Sequence, residues 1–171
     1  MTPIVQVLWN LDQTQIQTLT SIFYLATFFG SITSGKLSDQ FGRRPLVISG
    51  SILQILVSSS FFWVDSYKEM MYARGAYGFT YGFTIAVTTS MFAEISPPKY
   101  RGKGILFLNF CVSLGKLYGL LLAYIFLDTF TSGNWRAMMI FSCIPNLFVL
   151  FGALTILKES PRFLIGCNRL E

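Results

Sequence analysis

Histidine is absent from this sequence, and charged residues of either sign are few. Without histidine, the chain has no imidazole base, no imidazole metal ligand and no histidine pH switch. Asp, Glu, Lys and Arg make up 12% of the residues, against roughly 25% in a soluble domain. No constellation of residues suited to catalysis is present, so the sequence predicts neither an enzyme nor a bound cofactor.

Cysteine is also scarce, since Cys111, Cys143 and Cys167 are the only three. An odd number of cysteines at wide spacing fits neither a disulfide framework nor a zinc site. The first two lie inside apolar runs, where a thiol behaves as a small hydrophobic group. The sequence therefore predicts no metal centre.

The sequence is rich in long apolar runs, with 53% hydrophobic residues and 16% aromatics. A helix needs about 20 apolar residues to cross a bilayer. We identify five such runs, at 14–37, 45–64, 70–92, 104–127 and 135–157. They predict an all-α membrane protein, a partial bundle of five transmembrane helices with an outer loop at 1–13 and a cytoplasmic tail at 158–171. Pro145, near the middle of the last run, predicts a kink.

The basic residues concentrate in alternate loops between these runs. Short loops rich in Lys and Arg mark the cytoplasmic side of a membrane. The N-terminus is then outside and the C-terminus inside, and the net charge of +5 reflects topology rather than nucleic-acid binding. We predict an integral, multi-pass protein of the plasma membrane or an organelle membrane. The loop residues are Lys36, Arg43, Arg44, Lys99, Arg101, Lys103, Lys158, Arg162 and Arg169.

Two runs carry small residues at every fourth position, which places them on one helix face. The first stripe comprises Gly78, Gly82, Ala86 and Ser90, and the second comprises Cys111, Gly115, Gly119 and Ala123. Such stripes let helix backbones approach closely in a membrane. We interpret the first stripe as a packing seam, with a substrate path as the alternative.

One loop has an unusual density of charge, with the pattern Gly35-x-x-x-Asp39-x-x-Gly42-Arg43-Arg44. It resembles the signature between the second and third helices of the major facilitator superfamily. Three further patterns resemble the sugar-porter and the organic-ion or synaptic-vesicle-protein-like branches. They are Arg74-Gly75-x-x-Gly78-x-x-x-Gly82, Glu94-x-x-Pro97-x-x-x-Arg101-Gly102 and Glu159-Ser160-Pro161-Arg162.

The resemblance implies a fragment that holds family helices two to six, without the first helix and the C-terminal half. A complete member has two pseudo-symmetric bundles that alternate access to a solute near the midplane. The expected function is secondary transport of a small organic solute, with proton coupling as one option. The expected partners are the lipid bilayer, the solute and the missing parts of the transporter. The alternative is a truncated membrane protein without transport, either a binding or regulatory partner or a partial gene product.

The resemblance also implies a cytoplasmic charge network that locks the outward-facing state and breaks when the transporter opens inward. The alternative is that these residues are ordinary topological anchors. Acids are interleaved with the bases at set positions, which favours the two-state latch. The network would comprise Asp39, Arg43, Arg44, Glu94, Arg101, Glu159 and Arg162, and Gly35 and Gly42 belong to the same gating motif.

Lys116 lies near the middle of the fourth run. A charge there costs about 3 kcal/mol on insertion scales, so Lys116 should face the bundle interior. Its partner would be an absent helix or an anionic substrate, unless the lysine is neutral. The resemblance implies a substrate role for Lys116 and Asn109, because sugar porters tend to place glutamines at these positions. The two differences favour organic anions or other organic solutes over sugars.

Arg74 begins the third run on its outer side. Proton-coupled sugar porters place an arginine here that pairs with an acid on the first helix. The alternative is an interfacial arginine whose head reaches water. Tyr77, Tyr81 and Tyr118 are further candidates for lining a polar cavity.

Overall fold

The computed structural model describes residues 9–97, 99–127, 135–155 and 157, and every regular element within these ranges is a helix. This confirms the all-α prediction. A 3₁₀ turn, Phe61–Trp63, follows the second helix. We label the helices α1 Gln13–Phe41, α2 Arg43–Ser60, α3 Tyr67–Ile95, α4 Arg101–Phe126, α5 Trp135–Ser142 and α6 Ile144–Thr155.

Two capping boxes start the helices at one end of the bundle. Asp12 accepts a hydrogen bond from the Gln13 N–H at 2.8 Å, while Gln15 accepts one from the Asp12 N–H at 3.0 Å. At the start of α3, Ser66 and Glu69 form the same reciprocal arrangement. Each box satisfies backbone donors that the first helical turn leaves without partners. Both α1 and α3 therefore begin at residues just outside their apolar runs.

Gly42 alone separates α1 from α2. Its φ of 90° lies in the region that favours glycine, and its N–H donates to the Ser38 carbonyl at 3.2 Å. A side chain at this position would be strained, because Cβ meets the backbone there. The glycine of the charged motif thus has a clear backbone role, which is a reversal of chain direction within one residue.

The observed helices α1, α3 and α4 extend beyond the predicted spans of 14–37, 70–92 and 104–127. The prediction ended each span where charges begin. A helix satisfies its own backbone hydrogen bonds in water as well as in lipid, so it continues through the charged residues until a cap or glycine stops it.

Within the part of the chain that the structure describes, four segments are long and apolar enough to cross a membrane, namely Gln13–Phe41, Arg43–Trp63, Arg101–Phe126 and Ala137–Thr155. Helix α3 has 29 residues but is not among them, although it was predicted as the third of five spans. Its position explains the difference. It packs against both α1 and α2 and buries Met70, Val87 and Met91, so protein rather than lipid surrounds much of it. A helix in such a place tolerates glycine, threonine and serine.

The α1–α3 interface is the most extensive between the described helices. A methyl group on Gly78 would overlap the Phe23 carbonyl, and one on Gly82 would overlap the Thr27 carbonyl. Conversely, Gly30 of α1 faces the Phe79 carbonyl of α3. Backbone therefore lies directly on backbone, and the first small-residue stripe is confirmed as a packing seam.

The last predicted span is interrupted, as Pro145 suggested. Helix α5 ends at Ser142, Cys143 forms a turn, and α6 begins at Ile144. Proline is tolerated in a first helical turn, where its missing N–H has no intrahelical partner to lose. Helix α6 then packs along α2.

Helix α4 lies at the edge of the bundle. It packs mainly on α5 and contacts α3 only lightly, where Gly104 faces the Phe92 ring. No atom of the described residues lies within 4 Å of a methyl group built on Gly115 or Gly119. The second small-residue stripe therefore forms no packing seam among the described residues, contrary to its resemblance to the first.

Candidate functional site

A buried ion pair joins the two charged motifs that the sequence places 51 residues apart. Arg43 Nη2 lies 2.6 Å from Glu94 Oε1, and their side chains are 14% and 13% exposed. Arg43 Nη1 lies 3.7 Å from Asp39 Oδ1, but the Asp39 side chain is 76% exposed. Arg43 also donates to the Ser38 carbonyl at 3.2 Å. The short bond to Glu94 is thus the central contact of the cluster.

These charges sit at the helix ends that suit them least. Arg43 begins α2, while Asp39 and Glu94 lie in the last turns of α1 and α3. The partial charges of a helix favour anions at its start and cations at its end, by about 0.3–1 kcal/mol per group. These residues therefore do not stabilise their own helices. Their placement is explained by the ion pairs that join the helix ends.

Two further predicted members of the charge network, Arg44 and Arg101, donate to backbone carbonyls. Arg44 donates to the Leu154 carbonyl in the last turn of α6 at 3.4 Å, and Arg101 donates to the Ser96 carbonyl at 3.3 Å. Glu159 and Arg162 lie outside the described residues. Among the described residues, no other helix or side chain lies within 4 Å of a methyl group built on Gly35. Gly35, Ser38 and Ser90 line a small cavity of about 240 Å³ beside Arg43.

A second cavity lies toward the opposite end of the bundle and has a volume of about 380 Å³. Arg74 and Tyr77 of α3 line it, together with residues of α1, α2, α5 and the 3₁₀ turn. The Tyr77 ring stacks on Phe23 with centroids 6.2 Å apart, and Tyr81 reaches the same Phe23 ring at 5.9 Å. Among the described residues on the cavity wall none is acidic. The full lining comprises Phe23, Ser58, Phe61, Arg74, Tyr77, Met139 and Ser142.

Lys116 and Asn109 lie on one face of α4, away from the Arg74 cavity. Both are exposed, and so is Ser113 between them. Positions 109, 113 and 116 follow the helical i, i+4, i+7 spacing, so they form one polar face in the membrane-spanning part of the helix. Asn109 donates to the Ile105 carbonyl, and Ser113 donates to the Asn109 carbonyl. Ser113 was not predicted, although the spacing could have identified it.

Tyr118 points elsewhere. Its hydroxyl donates to the Phe141 carbonyl of α5 at 2.9 Å. The predicted candidates thus separate into three groups, with Arg74, Tyr77 and Tyr81 at the cavity, Asn109 and Lys116 on the polar face, and Tyr118 at the α4–α5 contact.

Comparison with known proteins identifies relatives over nearly the whole chain. The family described as "Sugar (and other) transporter" matches residues 8–171. A probable polyol transporter 6 of Arabidopsis thaliana is 34% identical over 160 residues, which cover 94% of this chain and 32% of that protein. A D-xylose transporter of Levilactobacillus brevis is 30% identical over 164 residues, covering 95% of this chain and 35% of that protein.

A solved structure has the same fold. The xylose transporter XylE from E. coli, in an inward-open conformation, superposes with a TM-score of 0.79 at 21% identity, covering 98% of this chain and 46% of that one.

The chain spans about a third of the length of the curated relatives it matches. The relatives are transporters, which confirms the prediction that the chain is not an enzyme. The match over 8–171, the apolar helices and the shared fold together show an integral, multi-pass membrane protein. This chain belongs to the sugar (and other) transporter family, within the major facilitator fold.

Proposed function

We propose that the chain is part of a secondary transporter that moves a small hydroxylated solute by alternating access. The observation that carries the proposal is the polar face of α4, where Asn109, Ser113 and Lys116 are all exposed. Lipid opposes an ammonium near the centre of a spanning helix, whereas a water-filled solute path accommodates one. The polar face therefore belongs on the wall of such a path.

The chemistry of this face suits a sugar or polyol. The Asn109 amide and the Ser113 hydroxyl can donate and accept, and the Lys116 ammonium has three donors. Relatives named as polyol and D-xylose transporters support the same solute class. An organic anion, which the sequence favoured, is therefore the second candidate for the solute. Lys116 would still add attraction for a hydroxylated solute that carries a carboxylate.

Arg74 is the proposed coupling residue. It faces the 380 Å³ cavity between α1, α2, α3 and α5. A carboxyl group that entered this cavity from outside the described residues would meet the guanidinium directly. Such a carboxyl group would exchange its proton according to how closely it pairs with Arg74. This exchange is the proposed physical basis for proton coupling.

The Arg43–Glu94 pair is the proposed latch. The two charges are close together and mostly buried, so a state in which they are only partly separated is high in free energy. The pair therefore favours two discrete states over gradual opening. In the alternating-access cycle it would hold the ends of α2 and α3 together in one state and release them in the other. The exposed Asp39 would then assist Arg43 without deciding the equilibrium.

Uptake into proteoliposomes tests the transport proposal. The 171-residue chain alone should show no uptake above empty vesicles, because one wall of a path cannot enclose a solute. A chimera that joins the chain to the remaining helices of the Levilactobacillus brevis D-xylose transporter should exchange D-xylose or a hexitol. Uptake by the chain alone, or a folded chimera that moves none of these solutes, would contradict the proposal. A chain that only binds a partner in the membrane, the alternative function, predicts the second result.

Lys116→Gln in the same chimera tests the role of the polar face. We expect uptake of a hexonate to fall about tenfold more than uptake of a neutral hexitol, because only the hexonate loses a charge pair. Lys103→Gln is the matched control on the same helix. It should leave both solutes unchanged, since Lys103 lies in the first turn of α4. Equal losses for both solutes would remove Lys116 from solute recognition.

A further inference from the structure

Proline 145 removes the hydrogen-bond donor that a continuous helix would supply to one particular carbonyl. In an α-helix the N–H of residue i bonds to the carbonyl of residue i−4. For Pro145 that carbonyl belongs to Phe141, and proline has no N–H to offer. The Tyr118 hydroxyl of α4 donates to this same carbonyl at 2.9 Å. A side chain of one helix thus supplies the donor that the other helix lacks.

The backbone around the break shows how local this gap is. The Cys143 N–H donates to the Ile140 carbonyl at 3.0 Å, a tighter turn than the α-helix makes. The Asn146 and Leu147 N–H groups both donate to the Cys143 carbonyl at 3.1 Å. The Ile140 and Cys143 carbonyls in this turn therefore accept from backbone donors, whereas the Phe141 carbonyl accepts from the Tyr118 hydroxyl.

The hydroxyl acts within a continuous contact between α4 and α5. Tyr118, Leu122 and Phe126 follow the i, i+4, i+8 spacing and share one face of α4. Leu122 is 5% exposed, and the Phe126 and Phe141 rings lie 4.9 Å apart. Tyr118 is thus the polar member of the face by which α4 is attached to its neighbour.

This attached face is opposite the polar face. Successive residues turn by about 100° in an α-helix, so Lys116 and Tyr118 point about 160° apart. We infer that Tyr118 is a positioning residue. By completing the helix that Pro145 interrupts, its hydroxyl fixes the rotation of α4 and directs Asn109 and Lys116 away from α5. The consequence for solute recognition rests on the proposed function, whereas the hydrogen bond itself does not.

A double-mutant cycle on the 171-residue chain tests the hydrogen bond from Tyr118 to the Phe141 carbonyl. Unfolding is followed by titration of mixed detergent micelles with SDS. Tyr118→Phe should raise the unfolding equilibrium constant about threefold, the size typical of a hydrogen bond between membrane helices. In a Pro145→Ala background, where residue 145 again has an N–H, the same change should have almost no effect. Equal effects in both backgrounds, or no effect in either, would overturn the inference.

Tyr124→Phe is the matched control, because it removes a hydroxyl from the same helix at a position that is 88% exposed. It should leave the unfolding equilibrium unchanged in both backgrounds. A loss as large as that of Tyr118→Phe would mean that any tyrosine hydroxyl on α4 contributes equally, which contradicts a specific tie.

A rotation measurement separates this inference from the transport proposal. Nitroxide labels at positions 116 and 122 of a cysteine-free chain in nanodiscs report the two faces of α4 through their collision rates with oxygen. Position 116 should be markedly more accessible than 122. Tyr118→Phe should reduce that contrast when Pro145 is present and leave it intact in the Pro145→Ala background. An unchanged contrast would overturn the positioning role, whatever the uptake assays show.

Discussion

The α1–α3 pair and helix α4 carry similar stripes of small residues, but the stripes lie in opposite environments. Gly78 and Gly82 of α3 lie directly against backbone carbonyls of α1. Gly115 and Gly119 of α4 have the same four-residue spacing and meet nothing within 4 Å among the described residues. Of the residues of α4, which are all described, only Leu122 is buried. Similar sequence patterns have thus produced one closed interface and one open stripe that makes no close backbone contact with another described helix.

The difference shows that a stripe becomes a seam only when a second helix offers a matching surface. Helix α1 does so, because Gly30 has no side chain to separate it from the Phe79 carbonyl and the Thr27 carbonyl lies against Gly82. No described helix presents such a surface to α4. The second stripe is therefore open among the described residues, while the α1–α3 seam is closed within them.

The largest expected effect comes from breaking the closed seam. Gly82→Val places a branched side chain where the Thr27 carbonyl now lies, and a backbone atom cannot move aside. The helices must separate, so we expect a loss of about 3 kcal/mol or failure to fold, at the upper end of overpacking effects. SDS unfolding in mixed micelles measures the loss. Gly119→Val, the control on the open stripe, should cost less than 1 kcal/mol. Comparable losses at both sites would erase the distinction between the two stripes.

The ion pair at the end of the seam should give the next largest effect. Glu94→Gln leaves the mostly buried Arg43 guanidinium without its 2.6 Å carboxylate partner. Breaking a buried pair costs about 3–5 kcal/mol, and the residual exposure here reduces our expectation to about 2 kcal/mol. Asp39→Asn removes the other carboxylate, but Asp39 is 76% exposed and should cost below about 0.5 kcal/mol. A larger loss for Asp39→Asn would move the centre of the cluster away from Glu94.

The contrast between the seam and the open stripe also shows which features could be predicted from the sequence. Apolar runs and loop charges predicted the helices, because lipid imposes a minimum length on each span. The seam residues were predictable because small residues at four-residue spacing can only share one helix face. The resemblance to the major facilitator superfamily implied a charge network, and the structure brings its members Asp39, Arg43 and Glu94 together.

Tertiary neighbours decided the rest. Nothing local distinguishes Gly82 from Gly119, since the difference lies in what packs against them. Arg101 belongs to the same motif as Glu94, yet it donates to the nearby Ser96 carbonyl. The three groups of candidate tyrosines, lysine and arginine could not be separated without knowing the rotation of α3 and α4. Pro145 predicted a kink, but only the structure shows that Tyr118 supplies the missing donor.

Substitution of Gly42 should have a smaller effect, which depends on backbone conformation rather than on helix packing. Its φ of 90° makes Gly42→Ala strained, and we expect a loss of about 1 kcal/mol. Gly102→Ala lies in the first turn of α4 with open space around it, so it should be neutral or stabilise by a few tenths of a kcal/mol. SDS unfolding of the two variants side by side measures the difference. A stabilised Gly42→Ala variant would show that the α1–α2 turn does not need its left-handed residue.

The smallest effect asks whether shape or hydrogen bonding holds the closed seam. Thr27 Oγ1 lies 2.8 Å from the Phe23 carbonyl on its own helix and 3.1 Å from the Gly78 carbonyl across the seam. One hydroxyl proton is shared between two acceptors, so Thr27→Val should cost only about 0.6 kcal/mol. Thr89→Val, which loses only an intrahelical bond to the Ile85 carbonyl, should cost still less. SDS unfolding of both variants gives the comparison. If Thr27→Val cost as much as Gly82→Val, the shared hydrogen bond rather than close backbone contact would distinguish the seam from the open stripe of α4.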